Sequence, residues 1–367
     1  MRDMFQYLSG VIDQRQEHKV KHLMKDIIAI VLFAKLANAN EWDEIHYFAV
    51  VKESFLRKYL ELPNGIPSYD TIRRVMAMVS PKFLGKLQVQ WNEMLSRNEG
   101  EKLRKILSLD GKTQRGNKRG GQEANHIVSC VDEDGFCLSQ KLVDGKSNEI
   151  KAIPKLLDEI NIKGHTVTID AIGCQKEIAT KIVKNGADYV LALKSNQHSL
   201  YEDVKLYFED VQLKGCAYHK TVEKARSAIE IREYWQTSDI SWLSQKKDWA
   251  KLKTIAMTKN TIIKGDVTTT QTRYFISTLE VNAQEIARAI RGHWMVESYH
   301  HHLDVTFKED ANQTIDKDAA FNLNIINKIA LNALKLLDVG IKRASIKGKR
   351  FITSLNPEKY IDLLMEV

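Results

Sequence analysis

Two acidic residues stand where a sheet could deliver them to one ligand. The run Ile106-Leu107-Ser108-Leu109 leads into Asp110-Gly111-Lys112, and the run His165-Thr166-Val167-Thr168-Ile169 leads into Asp170. Each reads as a buried strand ending in a carboxylate, with a glycine close by. A carboxylate at a strand end sits at the mouth of a sheet. Two on neighbouring strands can share a divalent metal ion, an arrangement suited to phosphodiester chemistry. Taken singly, either aspartate also suits a turn or a helix N-cap. A third acid is expected on a long helix that starts at Asn282, a candidate cap with Glu285 three residues on. Its face runs Ile286, Ile290, His293, Glu297, His301, Asp304 and turns polar from His293 onward. Glu297 extends a buried stripe and is the best third ligand. Glu309 and Asp310 are its rivals, but they lie beside Lys308 near the helix end, where exposure is expected. His300, His301 and His302 cannot converge on one ion, because neighbouring helix residues point about 100° apart.

The elements that must hold these acids follow from local pattern. His126 to Val131 and Phe136 to Val143 alternate around Asp132-Glu133-Asp134-Gly135 and predict a hairpin. Ser147 can cap a helix through Leu157, and a second helix is expected from about Gln175 to Lys184. The order is β-β-β-α-β-α-β, in which the Asp170 strand can lie parallel to the Asp110 strand. The strand Tyr189 to Leu193 exits into Lys194, Asn196 and Gln197, bringing a cation and two amides to the same sheet end for phosphate or base contacts. From Lys102 to Arg119 there are seven Lys or Arg and one acid. Lys112, Arg115, Lys118 and Arg119 there suit a phosphate backbone, which positions DNA rather than reading its sequence. Gly111-Lys112-Thr113 resembles the tail of a nucleotide-binding P-loop, but position 106 is isoleucine where that motif needs glycine.

Around this centre, residues 1–98 read as a helical domain of DNA-binding size. Ser68 is a cap there, Ser80-Pro81 a helix start, and Arg73 and Arg74 are outward cations. Residues 201–281 alternate and predict a β-rich insertion holding Trp235, Trp242 and Trp249, for which core packing is a commoner role than base stacking. An amphipathic helix is expected from Phe321 to Leu337. The tail 341–367 follows, with five basic residues and no acid between Ile341 and Arg350. The 367 residues allow two or three domains, and 43% hydrophobic with 28% charged residues is an ordinary globular balance. A net charge of +8 favours a polyanionic partner. The longest apolar run, Ile27 to Ala34, is too short to span a bilayer, and the N-terminus lacks a signal pattern. A cytoplasmic protein without membrane attachment is expected. Cys130, Cys137, Cys174 and Cys216 form no Cys-x-x-Cys pair and read as small buried thiols.

Several stretches together resemble a known family. They are Leu109-Asp110-Gly111-Lys112-Thr113, Lys146-Ser147-Asn148-Glu149-Ile150, Thr168-Ile169-Asp170-Ala171, Gln175-Lys176, Ala187 to Lys194, His293-Trp294, Glu297, and Leu303 to Asp310, with Gly65 to Thr71 upstream. In this order they resemble the H-repeat-associated insertion-sequence transposases, within the DDE group. The resemblance implies an α/β fold with an RNase H-like mixed sheet and flanking helices. Residues 99–200 would form the first part of that core, and 282–340 its completion with the catalytic helix. It implies catalytic and metal-ligating roles for Asp110, Asp170 and Glu297, with two Mg²⁺ ions for which Mn²⁺ can substitute. It implies double-stranded DNA, both transposon ends and target, as the partner. End synapsis would suit a homodimer, although no heptad seam marks one. Related transposases carry Tyr, Arg, Glu and Lys around the glutamate, where this chain has Ile290, His293, Glu297 and Asp304. His293 keeps the capacity to donate to a phosphate. Other readings of the same residues are a repurposed DNA binder and a metal-dependent nuclease without strand transfer.

Overall fold

The computed structural model describes residues 1–97, 104–118, 123–143, 148–210, 213–225 and 227–366. The fold is α/β, built on one mixed sheet of nine strands. In chain order these are β1 (Ile106–Thr113), β2 (His126–Asp132), β3 (Cys137–Val143), β4 (Thr166–Ile169), β5 (Asp188–Leu193), β6 (Ala217–Ala225), β7 (Ala228–Thr237), β8 (Thr254–Lys264) and β9 (Val267–Ser277). Their spatial order is β3-β2-β1-β4-β5-β9-β8-β7-β6. β1, β4 and β5 are parallel, and every other pairing is antiparallel. The parallel pairing of β1 with β4 is as expected. Leu109 lies opposite Ile169, so Asp110 and Asp170 come next on adjacent strands. β1 does not stop at Asp110, however. It continues to Thr113 because β2 pairs with it that far, while β4 ends at Ile169. The stretch expected to be β-rich holds β6 to β9, with β6 additional to the expected strands. It is continuous with the rest of the sheet, since β9 hydrogen-bonds along β5.

Fourteen α-helices among the described residues accompany the sheet. They are α1 (Arg2–Leu8), α2 (Met24–Leu36), α3 (Trp42–Val51), α4 (Glu53–Leu56), α5 (Tyr69–Met78), α6 (Pro81–Arg97), α7 (Glu149–Leu157), α8 (Lys176–Lys184), α9 (His198–Asp210), α10 (Ala283–Gly292), α11 (Trp294–Val305), α12 (Lys317–Leu336), α13 (Ile346–Leu355) and α14 (Pro357–Glu366). Successive strand residues point to opposite faces, and β1 is buried on both. Leu107 and Leu109 pack with Ile153 and Leu156 of α7 and Ile178 and Ile182 of α8. Ser108, Asp110 and Lys112 face the other way, towards α11. There Ile127 and Val131 of β2 pack with Val296, Tyr299 and Leu303 of α11 and with α12. Gly111 has no room for a side chain. A Cβ there would lie 2.4 Å from Glu149 Oε1 and 2.7 Å from His126 Nε2.

Three expectations about helices change. The single long helix from Asn282 is two, broken at Gly292-His293, although the Asn282 cap holds and accepts from Gln284 N and Glu285 N. The break brings Gly292 against β1: its carbonyl accepts from Ser108 Oγ at 3.2 Å, and a Cβ there would meet Ile106 at 3.0 Å. The closing helix is not amphipathic, because α12 is buried on all sides between α2, α5, α6 and β3. Its asparagines bond the backbone around it: Asn322 donates to Met76 O and Val79 O, and Asn332 to Cys137 O. The basic tail is partly interior. Arg350 is fully buried and donates to the carbonyls of Lys35, Ala39 and Thr306 and to Asn40 Oδ1, with its guanidinium 4.1 Å from the Phe307 ring. Burial pushes its pKa down to about 9. No helix among the described residues is long and apolar enough to cross a membrane.

Candidate active site

Asp110 on β1, Asp170 just beyond β4 and Glu297 on α11 line one cavity of ≈ 400 Å³. Its other walls come from Thr168, the Leu193-Lys194 end of β5, Gln271 and Arg273 of β9, and His293 and Trp294 at the α10–α11 break. The break makes the site: α10 ends on β1, and α11 then runs along the Ser108-Asp110-Lys112 face. Glu297, His300 and Asp304, spaced i, i+3 and i+7, lie along one stripe of α11. His300 and Asp304 are half-buried, whereas Glu297 is exposed at the cavity and not on the buried stripe expected for it, which is Val296, Tyr299 and Leu303. His300 Nδ1 lies 3.5 Å from Asp110 Oδ2, and Asp304 Oδ1 lies 2.6 Å from Lys112 Nζ.

The electrostatics separate the two aspartates. Burial alone would raise the Asp110 carboxyl, but the adjoining His300, with His293, brings it below the usual range. Asp170 is pushed up, first by burial and then by the negative charges of Asp110 and Glu149. Its Oδ1 also accepts from Ile172 N at 3.1 Å, so the turn role and the site role coexist. Burial lowers the pKa of His293, with Asp110 and Glu297 opposing, and its Nδ1 sits 3.1 Å from Thr168 Oγ1. Among the described residues, no three His, Cys, Asp or Glu side chains gather closely enough to hold a metal ion. What the site offers is a pair of neighbouring carboxylates with a third facing the same cavity. The donors are all hard oxygens, the kind suited to Mg²⁺ or Mn²⁺. A cation there would relieve the repulsion that raises Asp170.

The other residues singled out in the sequence divide. Lys194 is exposed at the cavity, and Arg115 and Lys118 are exposed on their loop. Arg119 lies outside the described residues. Lys112 is corrected. Its ammonium lies within 4 Å of Asp304, Glu309 and Asp310, which outweigh burial and hold its pKa above the ordinary value, so its three donors serve the interior. Glu309 is likewise not exposed but 3% accessible, taking a bond from Asn324 Nδ2. Asn196 and Gln197 donate to Ala171 O and Cys174 O, so both amides pin the loop after Asp170 rather than offering themselves to a base. The start of the basic loop is docked too: Arg115 N donates to Asp310 Oδ1. Sequence reasoning did not find His300, Arg273 or a cavity role for Trp294. Trp294 is 41% exposed, with the guanidinium groups of Arg291 and Arg273 at 5.5 and 6.0 Å from its ring. Arg273 reaches the site only because β9 pairs with β5, which no local pattern reveals.

Known proteins show the same architecture of sequence. The family model described as "Transposase DDE domain" matches residues 101–333, and the one described as "DDE_Tnp_1-associated" matches residues 5–92. The chain belongs to the DDE transposase family. Its relatives include the transposase-like protein YncI of Escherichia coli O157:H7, 36% identical over 97% of this chain and 93% of that one. The H-repeat-associated transposase-like protein YhhI of Escherichia coli K12 is 32% identical over 95% of each chain. YbfQ of the same strain, named an inactive transposase, is 34% identical over 21% of this chain and 92% of its own length. Among solved structures, a piggyBac transposase synaptic complex with hairpin DNA aligns with 99% of this chain and 80% of that chain. The identity is 12% and the TM-score 0.41, below the level at which two folds correspond in detail. Asp110, Asp170 and Glu297 fall within the stretch matched by the DDE-domain model.

Proposed function

We propose that this chain is an active, metal-dependent DDE transposase. It would cut phosphodiester bonds at the ends of its own element and join the freed 3′ ends to target DNA. The observation that carries this reading is that Asp110, Asp170 and Glu297, from three separate elements, line a single cavity. Supporting it, the β3-β2-β1-β4-β5 part of the sheet, with β1, β4 and β5 parallel, is the order an RNase H-like core requires, and β6 to β9 are then its insertion. Asp110, Asp170 and Glu297 would hold two Mg²⁺ ions, or Mn²⁺ in their place. When bound, these supply Lewis acidity to the phosphate and lower the pKa of an attacking water. Magnesium is commonly held by one or two carboxylates and completed by substrate phosphates, which fits a site whose third carboxylate faces the aspartate pair.

The chain's own groups do the rest. Lys194 and Arg273 place positive charge at the cavity wall, where a scissile phosphate would enter. Asn196 and Gln197 hold the loop that carries Asp170. Arg115, Lys118 and Arg119 would neutralise backbone phosphates of double-stranded DNA. His293, kept mainly neutral by burial, would offer a hydrogen bond rather than a charge. No covalent protein–DNA intermediate is required, since water and then the 3′-OH are the nucleophiles. A homodimer would hold two ends in synapsis.

The test is cleavage of DNA carrying the flanking ends of the element, with Mg²⁺ or EDTA, in the parent and in Glu297→Gln. Cuts that need Mg²⁺ and vanish in Glu297→Gln, with joined transposon–target products, are expected. Cuts without joined products would reduce the activity to a nuclease. Tight DNA binding with no cleavage in Mg²⁺ would make this copy a binder, as the existence of a relative named inactive allows.

A further inference from the structure

We propose that His300 is a positioning residue that orients the Asp110 carboxylate and sets it against Glu297, carried on the same helix. The inference rests on the reading of Asp110 as a metal ligand. Three side chains of one face of β1 meet the α10–α11 segment in order. Ser108 Oγ donates to Gly292 O at 3.2 Å, Asp110 Oδ2 lies 3.5 Å from His300 Nδ1, and Lys112 Nζ lies 2.6 Å from Asp304 Oδ1. The outer two ties fix the helix along the strand. The middle one acts on the proposed ligand itself.

Packing does not account for a histidine at this place. The His300 side chain is 12% exposed, and its Nε2 is buried without a hydrogen-bond partner among the described residues. Leaving a buried polar atom unpaired is unfavourable, and an apolar side chain of similar size would avoid that cost. The polar group this ring does meet is Asp110, through Nδ1. His301 is exposed, and adjacent helical positions point about 100° apart, so the neighbouring histidine cannot take its place. With Nδ1 carrying the hydrogen, His300 presents an N–H towards Oδ2 at 3.5 Å, a contact that a small shift would close into a hydrogen bond and that restricts rotation of the carboxylate. Oδ1 is then left to the cavity. Glu297, one helical turn before His300, is placed by the same contact, because it shares the helix that His300 ties to β1.

Outer partners of metal-binding side chains typically contribute 10–100-fold to metal affinity or activity. The experiment measures Mn²⁺ binding to the DNA-free full chain by calorimetry, alongside kcat and KM for end-DNA cleavage. The variants are His300→Ala, His300→Asn, His300→Gln and Asp110→Asn, each with a thermal melt. Asparagine places an amide N–H near the Nδ1 position, whereas glutamine places it near Nε2. His300→Ala and His300→Gln should weaken Mn²⁺ binding and lower kcat by roughly 10–100-fold, with KM for DNA unchanged. His300→Asn should restore most of both. If His300→Ala fails to fold, the Asn and Gln pair still decides. Equal loss in Asn and Gln, or Mn²⁺ affinity and kcat unchanged in His300→Ala, would overturn the role of His300. Unchanged Mn²⁺ affinity in Asp110→Asn would instead overturn the reading of Asp110 on which it stands.

Discussion

Replacing Gly111 by alanine tests whether the sheet under the site is as tightly built as the geometry states. The new methyl would lie 2.4 Å from Glu149 Oε1 and 2.7 Å from both Glu149 Cδ and His126 Nε2. Carbon atoms rest at about 3.5–4.0 Å from their neighbours, so roughly 1 Å of overlap must be relieved. Neither neighbour is a loose surface side chain. His126 Nε2 and Glu149 Oε1 are 2.5 Å apart, the side chains are 3% and 5% exposed, and His126 Nδ1 is 2.8 Å from Thr113 Oγ1. Overpacking alone would cost about 1–3 kcal/mol. Forcing a buried hydrogen-bonded pair apart costs about 3–5 kcal/mol, and the loss of that pair should dominate. Gly111→Ala should therefore lose about 3 kcal/mol or more, out of a total stability on the order of 5–15 kcal/mol. Urea unfolding measures it, as a lower midpoint at unchanged slope. The cycle with Glu149→Ala isolates the cause: with that carboxylate gone, only His126 Nε2 is left in the way of the added methyl, so the methyl should cost clearly less than in the parent. A loss below about 1 kcal/mol in Gly111→Ala, or strict additivity in the cycle, would refute the reasoning.

Four further outcomes are expected. Asp170→Asn removes a carboxylate raised by burial and by Asp110 while keeping an acceptor for Ile172 N, so it should gain about 0.5–1 kcal/mol in EDTA. It should also lose the stabilisation that Mn²⁺ gives the parent; a variant destabilised in EDTA would count against the charge argument. Lys35 is buried, bonds Asn40 O at 2.7 Å, and its pKa is lowered from 10.5 to about 7, first by desolvation and then by Arg350. Between those values the unfolded chain binds more protons than the folded one, so the urea midpoint should rise from pH 7 towards pH 10. It should rise less in Lys35→Met, and equal slopes would remove Lys35 as the source. In anisotropy titrations over a NaCl series, Arg115→Ala and Lys118→Ala should each lower the salt slope by about 1. Lys112→Met should leave that slope unchanged but cost about 3 kcal/mol in stability, because it strands buried Glu309 without its cation.

What the sequence disclosed was local. The hairpin from His126 to Val143, the cap at Asn282 and the strands leading into Asp110 and Asp170 carry their own periodicity and turn chemistry. The adjacency of Asp110 and Asp170 was legible from strand order, whereas Glu297 was expected on a buried stripe and is exposed at the cavity. The misreadings begin where a distant contact decides. The helix from Asn282 breaks because Gly292 must approach Ile106. That break shifts the inward stripe from His301 to His300, and so the residue beside Asp110 was passed over. Glu309 and Lys112 look like surface charges until α11 and β1 bring them together. Asn322, Asn324, Asn327 and Asn332 made α12 look half polar, yet each is buried. The union of β6 to β9 with the main sheet depends on β9 meeting β5, a pairing without a local signature.

The burial of α12 among the early helices also sets an order of events during synthesis. Met24–Leu36, apolar around its circumference, leaves the ribosome long before Lys317–Leu336, the helix that covers it. At about 5–20 residues per second, that interval lasts on the order of tens of seconds. Arg350, which ties Lys35 and Ala39 to Thr306, arrives later still. The amino-terminal third therefore cannot mature first, as a beads-on-a-string module would. Its apolar α2 waits for the carboxy-terminal helices to close over it. A copy of the gene interrupted before Lys317 would then yield a fragment destined for proteolysis, not a stable competitor for DNA ends.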